Sequence, residues 1–185
     1  MPTRIDKDSY YLGIAKAVSV KSNCLSAAFG AVIVKDDQII STGYVGAPRK
    51  VQDCMDLGYC IRRKRGVKSG TGYEMCRSVH AEMNAIINAA RAGVSLLNGD
   101  MYMFGFKRGE GDELIPIKSY PCLMCKKMII NAGLNRYICN DKDEGILEYN
   151  IKDWVNDWQN IEDLSQDKEK YETDYSHKKD YNLKT

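Results

Sequence analysis

Two short fragments of the sequence contain the residues best suited to metal chemistry. The first is H-A-E at residues 80–82, and the second is P-C-L-M-C at residues 121–125. One imidazole and two thiolates form a known ligand set for a catalytic zinc ion, whose fourth coordination position stays open for water. Both cysteines are expected in the first turn of a helix, where unpaired N–H groups and the helix dipole favour thiolate. We therefore predict that His80, Cys122 and Cys125 hold a catalytic Zn²⁺.

Glu82 follows His80 by two residues and is not needed as a zinc ligand. Zinc lowers the pKa of a bound water from 15.7 to about 7, which makes hydroxide available at neutral pH. We expect the Glu82 carboxylate to accept that proton and to pass it to the ring nitrogen and then to the leaving amine of a nucleobase. H-x-E followed by P-C-x-x-C is the signature of zinc nucleobase deaminases. The predicted reaction is hydrolytic deamination with release of ammonia.

Each fragment by itself has a plainer interpretation. A histidine at a helix start is most often only a polar residue, and C-x-x-C after a strand is also typical of a redox dithiol. The alternative of a different class is therefore a redox or structural zinc protein in which Cys122 and Cys125 form a dithiol. Glu82 distinguishes the two classes, because a redox protein has no use for that carboxylate.

The elements that must position these residues alternate between helix and strand. Apolar periodicity and branched residues predict helices at 10–20, 80–91 and 122–132, and strands at 31–35, 38–44, 101–106 and 136–140. Asp8 or Ser9 is the expected cap of the first helix. Asp36 and Asp37 separate the first two strands, which predicts a hairpin. This order predicts an α/β fold, a three-layer α/β/α sandwich with a central mixed sheet.

Length and composition limit the class of protein. The chain has 185 residues, of which 44% are hydrophobic and 28% charged, as in an ordinary globular domain. We expect residues 1–160 to form a single zinc deaminase domain that includes an amphipathic helix around Trp154 and Trp158. Charged residues dominate 161–185, which contains the second histidine, His177. That composition predicts a disordered C-terminal tail.

The composition also limits partners and location. No stretch reaches the roughly 20 apolar residues that a membrane span needs. The N-terminal residues contain no continuous apolar block, so we expect no secretory signal and a cytoplasmic location. A formal net charge of +2 argues against nucleic acid as a partner.

The remaining cysteines suggest a second metal site. The chain has seven cysteines, an odd number that fits a disulfide framework poorly. Residues 45–79 are polar and rich in glycine, and such a long loop needs something to order it. A structural Zn²⁺ bound by four thiolates would do so; its predicted ligands are Cys24, Cys54, Cys60 and Cys76. Free thiols are the alternative for these four, and Cys139 is expected in the core.

Beyond these motifs, the sequence resembles the deoxycytidylate (dCMP) deaminase family of the cytidine deaminase-like superfamily. The resemblance covers roughly residues 5–140, and its main stretches are SNCLSAAFGAVIV at 22–34, IISTGYVGAP at 39–48, CRSVHAEMNAIINAA at 76–90 and PCLMCKKMIINAG at 121–133. It implies hydrolysis of dCMP to dUMP in a homohexamer that dCTP activates and dTTP inhibits. It also implies a second zinc, since some phage and bacterial members carry one at cysteines matching Cys24 and Cys54.

The resemblance further assigns substrate contacts. The backbone N–H of Ala81 would hold the pyrimidine carbonyl, and Asn84 is assigned to the same site. Val45 stands where family members usually have an asparagine that contacts the sugar, and Lys50 stands where a glycine is common. Another nucleotide, a nucleoside or a nucleic-acid base therefore stays open as the substrate.

Two basic segments are candidates for a phosphate contact. The first is the run Arg62–Arg65 in the long loop, which is also a candidate for contact with RNA. The second is residues 107–120, an insertion before P-C-x-x-C that is longer than the family's usual link and carries Lys107, Arg108 and Lys118. A solvated surface is the alternative for both segments.

Overall fold

The computed structural model describes residues 4–68, 71–164 and 167. Most of the predicted tail at 161–185, with His177, lies outside the described residues. Within them, no helix combines the length and apolar character needed to cross a membrane.

A six-stranded mixed sheet forms the centre of the described fold. Its strands are β1 (Ala27–Lys35), β2 (Gln38–Tyr44), β3 (Asp100–Arg108), β4 (Leu114–Pro116), β5 (Arg136–Asp141) and β6 (Gly145–Asn150). Their order is β2-β1-β3-β5-β6, and β4 pairs with β3. Strands β3 and β5 are parallel, while the other pairs are antiparallel. The turn of the predicted hairpin holds Asp36 and Asp37 at positive φ, a conformation that aspartate tolerates better than most residues.

Helices cover both faces of the sheet, as the predicted three-layer sandwich requires. Helix α1 (Lys7–Ser19) packs Tyr11, Leu12 and Ala15 on one face. The opposite face is covered by α4 (Ala81–Ala92), α5 (Leu123–Asn131) and α6 (Ile151–Gln159). Cys139 is fully buried under this second layer, in agreement with its predicted place in the core.

Close approach to the sheet positions helix α4. Gly43 of β2 faces the first turns of α4, where a Cβ atom at Gly43 would overlap the carbonyl oxygen of Ala81 and the amide nitrogen of Ala85. The hydroxyl of Ser41 adds a hydrogen bond of 2.6 Å to the Ala85 carbonyl. Only a residue without a side chain allows this helix to lie so close to the strand, so Gly43 determines where the N-terminus of α4 sits.

Several local expectations differ from the structure. The cap of α1 is Asp6 rather than Asp8 or Ser9, because its carboxylate accepts hydrogen bonds from the Ser9 amide at 2.9 Å and the Ser9 hydroxyl at 2.7 Å. Strand β6 was not predicted, because its residues alternate only between exposed and half-buried at the sheet edge. The 107–120 insertion is not simply a solvated loop, since Leu114–Pro116 pairs with β3.

Short elements occur along the described part of the long segment after β2. It contains the one-turn helices α2 (Cys54–Leu57) and α3 (Ile61–Lys64), and a 3₁₀ turn at Tyr73–Met75. Asp53 caps α2 through a reciprocal capping box with Asp56. A β-bridge between Gly46 and Val79 joins the start of the segment to the residue before His80. The segment therefore folds back beside the start of α4.

Candidate active site

Two helix starts bring the predicted zinc ligands together. His80 is the N-cap of α4, and Cys122 is the N-cap of α5. The His80 Nδ1 atom lies 3.4 Å from Cys122 Sγ and 3.3 Å from Cys125 Sγ. Among the described residues, these three form a group whose ligand atoms all lie within 4.8 Å of one another. The residues fit zinc, because one imidazole nitrogen and two cysteine sulfurs converge on one point from two rigid helix ends.

Glu82 lies beside this group in the first turn of α4. Its side chain is buried, with 4% of the residue exposed. Burial raises the pKa of the Glu82 carboxyl, the charge of His80 opposes that effect, and the neighbouring Cys122 adds to it. A carboxyl group shielded from solvent next to a metal site is suited to hold and move a proton.

The two thiols of the C-x-x-C fragment differ from each other. A hydrogen bond from Cys125 and the proximity of His80 outweigh burial and lower the pKa of Cys122 to about 4. The same hydrogen bond, together with burial and Glu82, raises the pKa of Cys125. For His80, burial acts to lower the pKa, but the hydrogen bond to Cys122 and the charge of Glu82 raise it overall. The site thus already favours a thiolate at Cys122, the form that zinc binds.

A buried polar network that was not predicted supports the entry to α5. Asn140 of β5 accepts hydrogen bonds from the Gly105 amide at 2.9 Å and the Ser119 hydroxyl at 2.7 Å. Its amide nitrogen donates to the Ile117 carbonyl at 2.9 Å, and Tyr137 donates to the Ser119 carbonyl at 2.6 Å. The network anchors residues 117–119 immediately before the Pro121-Cys122 pair. No sequence signal pointed to it, because its members are distant in the chain.

An aromatic side chain from the long segment contacts His80. The ring of Tyr73 meets the imidazole edge-on, with ring centroids 4.9 Å apart. Arg62 in turn lies over the Tyr73 ring, 4.7 Å from its centroid. The sequence analysis did not single out Tyr73, and it named Arg62 only as one of four cations in the basic run, because the contacts of both residues with the His80 surroundings are tertiary.

The predicted substrate contacts lie around the start of α4. Ala81 is fully buried as the first residue of the helix, where its amide has no partner within the helix. The Asn84 side chain donates to the Tyr44 carbonyl at 2.7 Å, and it thereby ties α4 to the end of β2. Val45 is buried, and its amide donates to the Phe29 carbonyl. The substrate roles of these three residues stay predictions.

The four cysteines of the predicted structural site differ in burial. Cys54 is buried, while Cys24, Cys60 and Cys76 are half-buried. Burial raises the pKa of the Cys54 thiol, and electrostatic interactions with the other three cysteines raise it further. Among the described residues, the sulfur atoms of these four cysteines do not form a group within 4.8 Å of one another, as the atoms of His80, Cys122 and Cys125 do. Their zinc role stays a prediction.

Known proteins give an independent view of the same region. The family model described as the cytidine and deoxycytidylate deaminase zinc-binding region matches residues 5–140. Deoxycytidylate deaminase of Mycobacterium phage D29 is 33% identical over 141 residues, which cover 74% of this chain and 95% of that protein. Deoxycytidylate deaminase of Enterobacteria phage T4 is 29% identical over 168 residues, which cover 75% of this chain and 80% of that protein.

A solved structure agrees with the fold. The dCMP deaminase of cyanophage S-TIM5, crystallised with dCMP and dUMP, has a TM-score of 0.55 and 21% sequence identity, and the match covers 85% of this chain and 93% of that one. This likeness confirms the α/β sandwich fold. The resemblance read from the sequence is confirmed by the family model and by the phage D29 relative. With the profile of a zinc-binding family matching residues 5–140, which contain both helix starts, the chain belongs to the cytidine and deoxycytidylate deaminase family.

Proposed function

We propose that this protein is a zinc-dependent hydrolase that deaminates dCMP to dUMP and releases ammonia. The observation that carries the proposal is the meeting of His80, Cys122 and Cys125 at two helix starts, with the buried carboxyl of Glu82 beside them. Family membership favours this function over the alternative of a redox dithiol. Glu82 has no role in the latter.

The residues divide into those that hold the metal and those that act on the substrate. His80, Cys122 and Cys125 would hold the ion, and zinc bound by such a set would lower the pKa of a water molecule so that it can act as the nucleophile at neutral pH. Glu82 would take the first proton of the attacking water and deliver it to the ring nitrogen N3 while the water oxygen adds to C4. Glu82 would then carry the remaining hydroxyl proton to the amine, so that the C4–N bond breaks and ammonia leaves. The Ala81 amide, at the positive end of α4, orients the pyrimidine carbonyl.

The choice of dCMP as substrate rests on the relatives. The relatives from phages D29 and T4 are both named deoxycytidylate deaminase, and the match covers 95% of the length of the D29 protein. Val45 in place of the usual asparagine keeps another nucleotide or a nucleoside as the alternative substrate. A nucleic-acid strand is disfavoured by the formal net charge of +2.

A substrate panel tests this proposal. Purified zinc-loaded protein is incubated with dCMP, CMP, deoxycytidine, cytidine, dAMP and a cytosine-containing oligonucleotide, and ammonia release is followed. We expect dCMP to have the highest kcat/KM. Turnover of another substrate with dCMP inert would overturn the substrate assignment and retain the site, whereas no deamination of any substrate would overturn the enzyme class.

We also propose a second, structural zinc bound by Cys24, Cys54, Cys60 and Cys76. The burial of Cys54, and the upward effect of the other three cysteines on its pKa, support this proposal. Elemental analysis should give close to two zinc ions per chain, and Cys76→Ser should lose one of them. Cys139→Ala, a change at a buried strand cysteine, serves as the control that leaves zinc content unchanged. One zinc per chain in the unmutated protein would contradict the proposal.

The assembly, effectors and location proposed here rest on the sequence. The resemblance to dCMP deaminases implies a homohexamer, activation by dCTP and inhibition by dTTP. Thiolate ligands without disulfides suit the reducing cytoplasm. Light scattering of the purified protein gives the oligomeric state, and initial rates at subsaturating dCMP with each triphosphate test the regulation.

A further inference from the structure

Arg62 differs from the other cations of the basic run. Arg63, Lys64 and Arg65 are exposed, whereas Arg62 is half-buried. Its Nη2 atom donates to the carbonyls of Thr71 and Lys68, the second at 3.4 Å. These bonds hold the guanidinium in a defined place, so Arg62 is not part of a freely solvated surface.

Stacking places the Arg62 guanidinium near the candidate metal site. It lies 4.7 Å from the ring centroid of Tyr73, which itself lies 4.9 Å from that of His80. The guanidinium is therefore no further from the imidazole than these two distances combined. This upper limit leaves the guanidinium close enough to contact the 5′-phosphate of a nucleotide whose pyrimidine ring lies beside His80.

The guanidinium keeps unused capacity for a ligand. No carboxylate of the described residues lies within 4.0 Å of it, so its charge has no ion-pair partner among them. Its Nε–H is buried and has no acceptor in the described part of the chain. Buried donors are normally paired, and an arginine that lacks an anion near an active site is well suited to a phosphate.

Arg108 of the 107–120 insertion is less suited to this role than Arg62. Arg108 already donates from Nε to the Cys24 carbonyl at 2.9 Å and from Nη2 to the Ser22 carbonyl at 3.0 Å. Lys118 lies over the ring of Tyr120 at 6.0 Å. Arg108 thus has a structural role at the end of β3, and Arg62 is the better candidate of the two arginines.

We propose that Arg62 binds the 5′-phosphate of the substrate and makes the enzyme select a nucleoside monophosphate over the nucleoside. This inference rests on the proposed deaminase function and deepens it. Tyr73 has a positioning role, because its ring holds the guanidinium on one side and contacts His80 on the other. Selection then arises from a charge-assisted contact that deoxycytidine lacks.

Matched charge-removing variants test the proposal kinetically. Arg62→Gln should lower kcat/KM for dCMP by roughly 10- to 100-fold, mainly through KM, and change that for deoxycytidine by no more than about twofold. Arg63→Gln removes the same charge from an exposed neighbour and should leave both values within about twofold. Equal effects of the two variants on dCMP, or an equal loss for both substrates in Arg62→Gln, would overturn the assignment.

Product binding provides a readout that does not need turnover. In calorimetric titrations of the zinc-loaded proteins, dUMP should bind the unmutated protein and Arg63→Gln more tightly than deoxyuridine does, and Arg62→Gln should lose this preference. If the unmutated protein fails to deaminate dCMP, the proposed function fails, while the preference for dUMP still decides the role of Arg62. A preference retained in Arg62→Gln contradicts that role.

A third variant tests whether the loss of affinity comes from a disturbed loop structure rather than from the lost phosphate contact. Arg62→Lys keeps the charge but loses the planar fork, so its loss of dCMP affinity should lie between those of the unmutated protein and Arg62→Gln. Zinc content and melting temperature are measured for all variants. A drop in zinc content that accompanies the loss of affinity in both Arg62 variants would show a structural role and overturn the proposal.

Discussion

The Nζ atom of Lys126 lies 2.6 Å from Oδ2 of Asp167, and the two side chains are only 4% and 6% exposed. Three aromatic rings surround the ammonium, with centroids 4.8 Å away for Trp154, 5.3 Å for Trp158 and 5.5 Å for Tyr120. Trp158 also donates to Asp167 at 3.1 Å. Since Lys126 follows Cys125 directly on α5, this buried ion pair connects the helix that carries the candidate zinc ligands to the chain beyond α6.

The first prediction concerns this ion pair. Asp167→Asn leaves the Lys126 charge buried without its counter-charge, so we expect the free energy of unfolding to fall by about 3–5 kcal/mol. Urea denaturation of the zinc-loaded protein measures it. Replacing both partners by apolar residues, Lys126→Met with Asp167→Leu, should recover most of the loss, because no unpaired charge is then buried.

An exposed pair of the same length provides the control. Lys7 and Asp37 also lie 2.6 Å apart, but their side chains are 71% and 66% exposed. Asp37→Asn should change the free energy of unfolding by no more than about 1 kcal/mol. Similar effects of Asp37→Asn and Asp167→Asn would show that burial of the Lys126 pair has no energetic consequence.

The second prediction concerns the proton carrier. Glu82→Gln keeps the size of the buried side chain and removes its ability to accept a proton, so kcat for dCMP should fall by about 10²- to 10⁴-fold. Zinc content should stay unchanged, since Glu82 is not a proposed ligand. Steady-state rates and elemental analysis measure the two quantities. Glu74→Gln is the control, because it makes the same change at an exposed residue of the long segment and should keep full activity. Full activity in Glu82→Gln would exclude Glu82 as the acid and base.

The third prediction concerns the contact between β2 and α4. Gly43→Ala introduces a Cβ atom that overlaps the backbone of Ala81 and Ala85, so the helix must shift. We expect a loss of about 1–3 kcal/mol in stability and a lower kcat/KM, because His80 and Glu82 move with α4. Thermal denaturation and steady-state kinetics measure the two effects.

Gly13→Ala is the matched control for this change. Gly13 lies inside α1, and a Cβ there meets no atom within 4 Å. Alanine should stabilise that helix by about 0.5–1 kcal/mol and leave activity unchanged. If Gly43→Ala behaved like Gly13→Ala, the close approach of α4 to β2 would not position the site.

The fourth prediction concerns the polar network below α5. Asn140→Ala removes the partner of the Gly105 amide, the Ser119 hydroxyl and the Ile117 carbonyl. Unpaired buried groups should lower stability by about 1–3 kcal/mol, and the loosened segment before Cys122 should weaken zinc binding. Competition with a chromophoric chelator measures the affinity. Asn135→Ala changes an exposed residue near the start of β5 and is the control that should keep the zinc affinity of the unmutated protein. If Asn140→Ala also kept that zinc affinity, the network would serve folding alone.

Local signals explain why so much of the site was predictable. H-A-E and P-C-x-x-C each identify a helix start, and a helix start holds its side chain and amides in a fixed relation to the axis. The same holds for the hairpin at Asp36 and Asp37, whose turn chemistry is contained in two residues. The metal ligands, the candidate acid and base, and the layered fold could therefore be named from the sequence.

Contacts between distant segments were beyond such signals. Asp167 meets Lys126 across 41 residues, and Asn140 meets Gly105 across 35. Strand β6 owes its formation to pairing with β5, since its own residues are mostly exposed. The basic run at 62–65 shows the difference within four residues: the sequence presents four equivalent cations, and only the tertiary structure places Arg62 over Tyr73 beside His80.

Ligand type and spacing along a helix are local properties, so the proposed zinc ligands and the candidate acid and base could be named from the sequence. The surroundings of these residues became visible only in the fold: the stacking of Arg62 on Tyr73, the buried charge of Lys126 next to Cys125, and the polar network before Cys122. Those relationships depend on which surfaces exclude water together, and burial is a property of the folded chain as a whole.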